Sequence, residues 1–254
     1  MCSIFAKEIK IYLRKPLSFI FIAAFFMATA FIFINNVVIG SFSMEGIVGN
    51  TNIQDLFKQL PNFIWVLIPI LSVGLIPDEK TNSTDRLLAA SPISSCEIVI
   101  GKYLAALLVY VVGLISTLLF TIIMISHAKT EFMYVFNSYF AMLMYGSGIL
   151  AMGLFFGAAL KNSLAGAAAT FGTMFFMNQI TMLKMIENFS EETGEAASFL
   201  PAWLIKVVDF FAINDKYAAF FGSSVSPMGF VYFLSLTVVF LLLACITVEK
   251  RSCN

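Results

Sequence analysis

The sequence predicts an all-α, polytopic membrane protein with six transmembrane helices, an N-terminal interfacial helix, a cytosolic coupling helix between spans 2 and 3, and both termini in the cytosol. Three observations point to the membrane. Of the 254 residues, 60% are hydrophobic and only 12% are charged, against about 25% charged in a soluble domain. Mean hydropathy is +0.92. Uncharged runs near the ~20 residues that cross a bilayer recur at 17–39, 60–77, 103–126, 132–160, 163–183 and 228–248. No polar tract is long enough for a separate soluble domain, so residues 1–254 read as one membrane domain. A net charge of zero offers no basic field for nucleic acid.

The elements follow in order. In residues 1–15, Phe5, Ile9, Tyr12 and Leu13 share one helical face, and Lys7, Lys10 and Arg14 line the other. That pattern suits a helix lying on the inner leaflet among lipid headgroups, with Pro16 turning the chain into the first span. A plain cytosolic extension of that span stays open as the second reading. Ala28-Thr29-Ala30 looks like a signal-peptidase site, but the apolar run from Leu17 is too long for an h-region and continues past Ala30, so no cleavage is expected. The second span is the shortest and holds Pro61, Pro69 and Pro77. Pro69 should kink it. The fourth span is long enough to tilt. Residues 184–227 form the long outer loop, and its apolar part, 199–222, is either a short helical hairpin dipping into the outer leaflet or an ordinary folded loop.

Orientation follows from the basic residues. With the N-terminus inside, cytosolic segments hold Lys7, Lys10, Arg14, Lys15, Lys80, Arg86, Lys102, Lys161, Lys250 and Arg251. Outer segments hold Lys58, Lys129, Lys184, Lys206 and Lys216, which makes ten against five. Cys2, Cys96, Cys245 and Cys253 then lie on or near the cytosolic side. They have no CxxC spacing and His127 is the lone histidine, so reduced thiols rather than a zinc site are expected.

The six spans contain no Asp, Glu, Lys, Arg or His, whereas proton- and ion-coupled carriers commonly need such groups within the membrane. No HExxH motif and no GxxxxGK[ST] phosphate loop is present. No metal ligands, catalytic residues or cofactor are therefore expected in this chain, and energy for any work must come from a partner. Gly153 and Gly157 in the fourth span, with Gly166 opening the fifth, suit close backbone approach across the Lys161-Asn162 turn. Internal packing, a dimer contact and a transport lining all remain open for them. Asn35 and Asn36, and Asn178, Gln179 and Thr181, lie late in the first and fifth spans. They either bond across helices or line a substrate path.

The segment 78–102 is the most polar part of the inner side. Asp85 to Ala90 can form a short helix started by Asn82, Ser83 and Thr84. Pro92 ends it. Ser94 and Glu97 have capping-box spacing, which starts a helix running through Gly101 and Lys102 into the third span. Such a unit suits docking of another protein, and equally suits plain capping and loop geometry.

Resemblance bears on that choice. Ile4-Phe5-Ala6-Lys7-Glu8-Ile9-Lys10 with Pro16-Leu17-Ser18-Phe19-Ile20, then Pro77-Asp78-Glu79-Lys80, Leu87 to Ile93, Glu97-Ile98-Val99 and Gly101-Lys102, resemble the amino terminus and inner loop of ABC-2 type permeases of the gliding-motility and copper-maturation kind. Gly153-Leu154-Phe155 with Lys161-Asn162, and Val231 to Thr237, resemble that family's fourth-to-fifth turn and last span. Asp78 and Thr81 to Thr84 depart from the family's second acid and Gly-Thr step.

The resemblance implies a permease subunit in a bacterial cytoplasmic membrane. It would pair with a second permease subunit, identical or related, and with cytosolic ABC ATPase subunits that carry the ATP and magnesium. Glu79, Arg86, Ser91, Pro92, Glu97, Gly101 and Lys102 would couple ATP hydrolysis to export rather than catalyse it. The other readings are a membrane anchor in a motility or secretion assembly and, disfavoured by the uncharged spans, a secondary carrier.

Overall fold

The computed structural model describes residues 9–10, 12, 14–39, 53–72, 95–127, 132–160, 162–193, 209–221 and 226–252. The described residues form an all-helical bundle. Helix α1 (Pro16–Phe33) continues into a π-helical turn, Ile34–Ile39. Short helix α2 (Ile53–Gln59) meets α3 (Pro61–Ser72) at Leu60. Helix α4 (Ser95–Ser116) breaks at Thr117 and resumes as α5 (Leu118–His127). Then come α6 (Phe132–Ala159), α7 (Ser163–Thr193), short α8 (Ile213–Ala218) and α9 (Pro227–Ser252).

Local chemistry sets several of these boundaries. Proline at the first helical position sacrifices an N–H that would be unsatisfied anyway. Pro16 begins α1 behind an extended Lys15 (φ −70°, ψ 132°), and Pro61 and Pro227 begin α3 and α9. At the Thr117 break the threonine side chain bonds the Leu114 carbonyl at 2.7 Å. The same carbonyl also accepts the Thr117 N–H at 3.1 Å, a tight turn that interrupts the α-helical ladder. Pro69 sits inside α3, and the Ser72 hydroxyl donates to its carbonyl at 2.7 Å.

Among the described residues, four helical segments are long and apolar enough to cross a membrane: Pro16–Asn36, Cys96–Ser126, Phe132–Ala159 and Pro227–Lys250. The third span therefore begins seven residues before the expected Tyr103, and Glu97 and Lys102 lie within it. Of the two other expected spans, α3 is a shorter apolar helix and residues 73–77 lie outside the described residues. Helix α7 is long, but Asn178, Gln179, Lys184 and Glu187 dilute its apolar character. It also runs ten residues past the expected end at 183.

Helix α6 is the hub. It packs against α9, α7, α3 and α4, while α1 packs against α3 and α4. Lipid is as apolar as leucine, so helices associate through close packing and hydrogen bonds. Small residues on α6 supply the close packing. Gly146 lies under the Tyr110 ring, and a Cβ there would overlap the phenol. A Cβ on Gly148 would come within 2.8 Å of Leu236, and one on Gly153 within 2.7 Å of Ser72.

At the end of the bundle assigned to the outer side, α2 is buried through Ile53, Leu56 and Phe57. The 209–221 segment closes over it: the Tyr217 hydroxyl donates to the Phe57 carbonyl at 2.8 Å. Burial pushes the Tyr217 phenol well above its ordinary range, so it remains a neutral donor. Asn214 Nδ2 donates to Asn178 Oδ1 at 2.8 Å, and Gln59 Nε2 to Asn36 Oδ1 at 3.2 Å. Asn178 and Asn36 thus bond across elements, while Asn35 bonds the Phe31 carbonyl of its own helix at 2.8 Å.

Candidate coupling site

The site is built around α4, the helix that leaves the inner polar segment. Its first turn carries Glu97, half-buried, where a carboxylate complements the exposed N–H groups of a helix start. Gly101 and Lys102 follow and are buried, Lys102 at 4% exposure. Neither offers a surface to a soluble partner; both sit where α4 enters the bundle. Glu79, Arg86, Ser91 and Pro92, together with Ser94 of the expected capping box and the short helix before Pro92, lie outside the described residues.

Two tyrosines seven residues apart on α4 point to the same side and anchor it to α6. The Tyr103 hydroxyl donates to the Ser147 carbonyl at 3.3 Å and also neighbours the side chains of Ser147 and Thr237. Ser147 and Thr237 share a hydroxyl contact of 3.5 Å, which brings α9 into the same knot. The Tyr110 hydroxyl donates to the Met142 carbonyl at 2.7 Å. Phe21 and Phe25 of α1 lie against the Tyr110 ring, with centroids 6.4 and 6.1 Å away. Beyond the Thr117 break, Tyr139 of α6 shares hydrogen bonds with Thr117 at 2.9 Å and Thr121 at 2.8 Å.

This arrangement can transmit displacement. Buried hydroxyls that lose their partners in a dry interior cost about 1–3 kcal/mol each, so the Tyr103 and Tyr110 bonds hold α4 to α6. At the start of α1, Tyr12 is buried at 2% exposure while Lys10 and Arg14 are exposed. The Ser18 hydroxyl donates to the Tyr12 carbonyl at 2.7 Å, and the Lys15 ammonium stands 5.3 Å from the Tyr12 ring.

The glycines proposed for packing separate in role. A Cβ on Gly166 would lie 2.9 Å from the Gly157 Cα, so α6 and α7 approach backbone to backbone there. Gly157 itself has open space at its Cβ position. Gly153 faces Ser72 of α3, with Thr170 of α7 farther off. Among the described residues, no group of three or more His, Cys, Asp or Glu side chains is placed to hold a metal ion.

A family model for the ABC-2 family transporter protein matches residues 3–252. The chain belongs to this family. No curated protein compared with the chain matches it. As an ABC-2 family member with several long apolar helices, the protein is a multi-pass membrane component of a transporter. Such components are typically non-catalytic permeases, and the family in general implies a partner ATPase. The tyrosine ladder of α4, the Ser147–Thr237 contact and the Tyr139 cluster were missed in the sequence reading. The spacing of Tyr103 and Tyr110 was the available signal for the first of these.

Proposed function

We propose that this chain is the export permease subunit of an ABC-2 transporter in a bacterial cytoplasmic membrane, driven by a separate cytosolic ATP-binding subunit. A second permease subunit, identical or related, completes the membrane unit. ATP and magnesium bind the partner, and this chain contributes no catalytic group. The observation that carries the reading is the continuity of α4 from its first turn at Ser95 to Ser116, with Tyr103 and Tyr110 tying it to α6. A load applied ahead of Ser95 reaches the hub of the bundle without crossing a flexible joint.

Within this reading the seven coupling residues divide. Glu79, Arg86, Ser91 and Pro92 form the contact and corner on which the ATP-binding subunit presses. Glu97, Gly101 and Lys102 set the start and seating of the rod. At the outer end, the 209–221 segment is held to α2 by Tyr217.

The test is reconstitution in lipid nanodiscs with the ATP-binding subunit. A stable complex whose ATPase rate depends on this chain supports the proposal. Failure of any ATP-binding subunit to associate would overturn it. Association without dependence of the rate would leave the chain an anchor.

A further inference from the structure

Helix α4 does not continue unbroken toward the outer side. At its end the Ser116 hydroxyl donates to the Gly113 carbonyl at 2.6 Å, and both the N–H and the hydroxyl of Thr117 donate to the Leu114 carbonyl. Hydroxyls that bond back onto the preceding turn bend helices, and here two act in succession. The Thr117 carbonyl then starts α5, accepting the N–H groups of Phe120 at 3.1 Å and Thr121 at 3.2 Å. The break lies inside the bundle, with Thr117 and Thr121 both buried.

Helix α5 is lightly held. Leu119, Ile122 and Ile125 face outward, and α5 seats itself through Phe120, Thr121 and Met124. The Phe120 ring lies against Phe26 and Phe33 of α1, with centroids 5.0 and 5.3 Å away, a contact between rings alone. The fixed point is Tyr139 of α6. Its hydroxyl meets Thr117 at the break at 2.9 Å and Thr121, one turn into α5, at 2.8 Å. Its ring packs edge-on against Phe57 of α2, with centroids 4.8 Å apart. One hydroxyl thus fastens both sides of the break, and the same side chain supports α2.

We propose that the Thr117 break is a hinge and the Tyr139 hydroxyl its latch. Helix α5 pivots against the α1 rings while Tyr103 and Tyr110 keep α4 bonded to α6. During the pivot the Tyr139 hydroxyl keeps one threonine as it leaves the other, so its own hydrogen bonding is never wholly lost in the dry interior. Because Phe57 rests on the Tyr139 ring, α2 follows the latch. The consequence for export rests on the permease reading: the outer end rearranges while the α4 rod stays seated.

The test is the distance between spin labels on the full chain in lipid nanodiscs, measured by pulsed electron resonance after the four native cysteines are replaced by serine. The outer pair sits at Ile125 and Met182, late in α5 and α7, and the inner pair at Leu104 and Leu164, early in α4 and α7; all four positions are exposed. Tyr139→Phe removes the hydroxyl and keeps the ring. It should widen the outer-pair distribution at least twofold and leave the inner pair as in wild type. Thr121→Val cuts one of the two latch bonds and should widen it less. Joint Ser116→Ala and Thr117→Ala should act in the opposite sense, giving a narrow distribution at a shifted distance as α4 and α5 merge into one helix. An outer pair unchanged by Tyr139→Phe, or by Thr121→Val should the first variant not fold, overturns the latch. Widening of both pairs together, or an unshifted distance in the alanine double variant, overturns the hinge. These distances involve no ATP-binding subunit, so a failure here counts against the hinge, whereas failure of a subunit to associate counts against the permease reading.

Discussion

Helices α6 and α9 pack against each other, yet they solve opposite problems. The candidate span in α6 is 72% buried with a mean hydropathy of 1.7; that in α9 is 17% buried with 2.6. The more apolar helix is the more exposed one. Valines and leucines on α9, such as Val238, Val239 and Leu242, face outward, where lipid is their solvent. Helix α6 spends its interior positions on Gly146, Ser147, Gly148 and Gly153 and on buried Asn137 and Ser138. Within a bilayer, hydropathy therefore marks contact with lipid, while small and polar residues mark the core.

Substitutions along the two helices can break this comparison. The largest effect is expected at Gly146, where any side chain meets the Tyr110 ring. Gly146→Val should destabilise the protein by about 3 kcal/mol through overpacking, measured by reversible unfolding in detergent. Gly166→Ala should cost about 1–2 kcal/mol, because its Cβ meets backbone rather than a flexible side chain. Gly157→Ala, across the same helix contact, should be neutral or stabilising by up to about 1 kcal/mol from helix propensity. Equal effects at 157 and 166 would contradict the packing described. Tyr217→Phe should cost about 1 kcal/mol and speed hydrogen exchange in α2 and α8 ahead of the rest of the bundle. Leu242→Ala, on the lipid face of α9, should change stability by less than about 0.5 kcal/mol. A larger loss there would mean that a partner helix rather than lipid covers that face.

Four of the six expected spans fall on helices long and apolar enough to cross a membrane, because long uncharged runs have few alternatives to a membrane helix; the helix carrying the third starts seven residues before the expected Tyr103. The sequence located the entry of α4 as well: Pro92 and the Ser94–Glu97 spacing pointed to a helix running through Gly101 and Lys102. Other features were less visible, for physical reasons. Ile53, Leu56, Phe57 and Leu60 have helical spacing, but α2 is only seven residues long and carries Asp55 and Lys58, which read as loop chemistry. The docking of Tyr217 onto Phe57 joins residues 160 positions apart, which no local pattern encodes. Thr117 is one mild polar residue inside an apolar run, and its place at the break involves Tyr139 of another helix. The burial of Lys102 likewise follows from how α4 is seated, not from its neighbours in sequence.

The same contrast separates the two ends of the coupling path. The α4 rod is fixed by packing inside the bundle, whereas the proposed function has the residues ahead of it act on a partner. The most direct test is therefore a change at that contact alone: ATPase stimulation by Arg86→Glu protein, reconstituted with the ATP-binding subunit and compared with wild type at equal folded content. The account predicts at least a tenfold loss of stimulation with unchanged thermal unfolding. Stimulation equal to wild type would place docking elsewhere and contradict the role given to the segment that feeds α4.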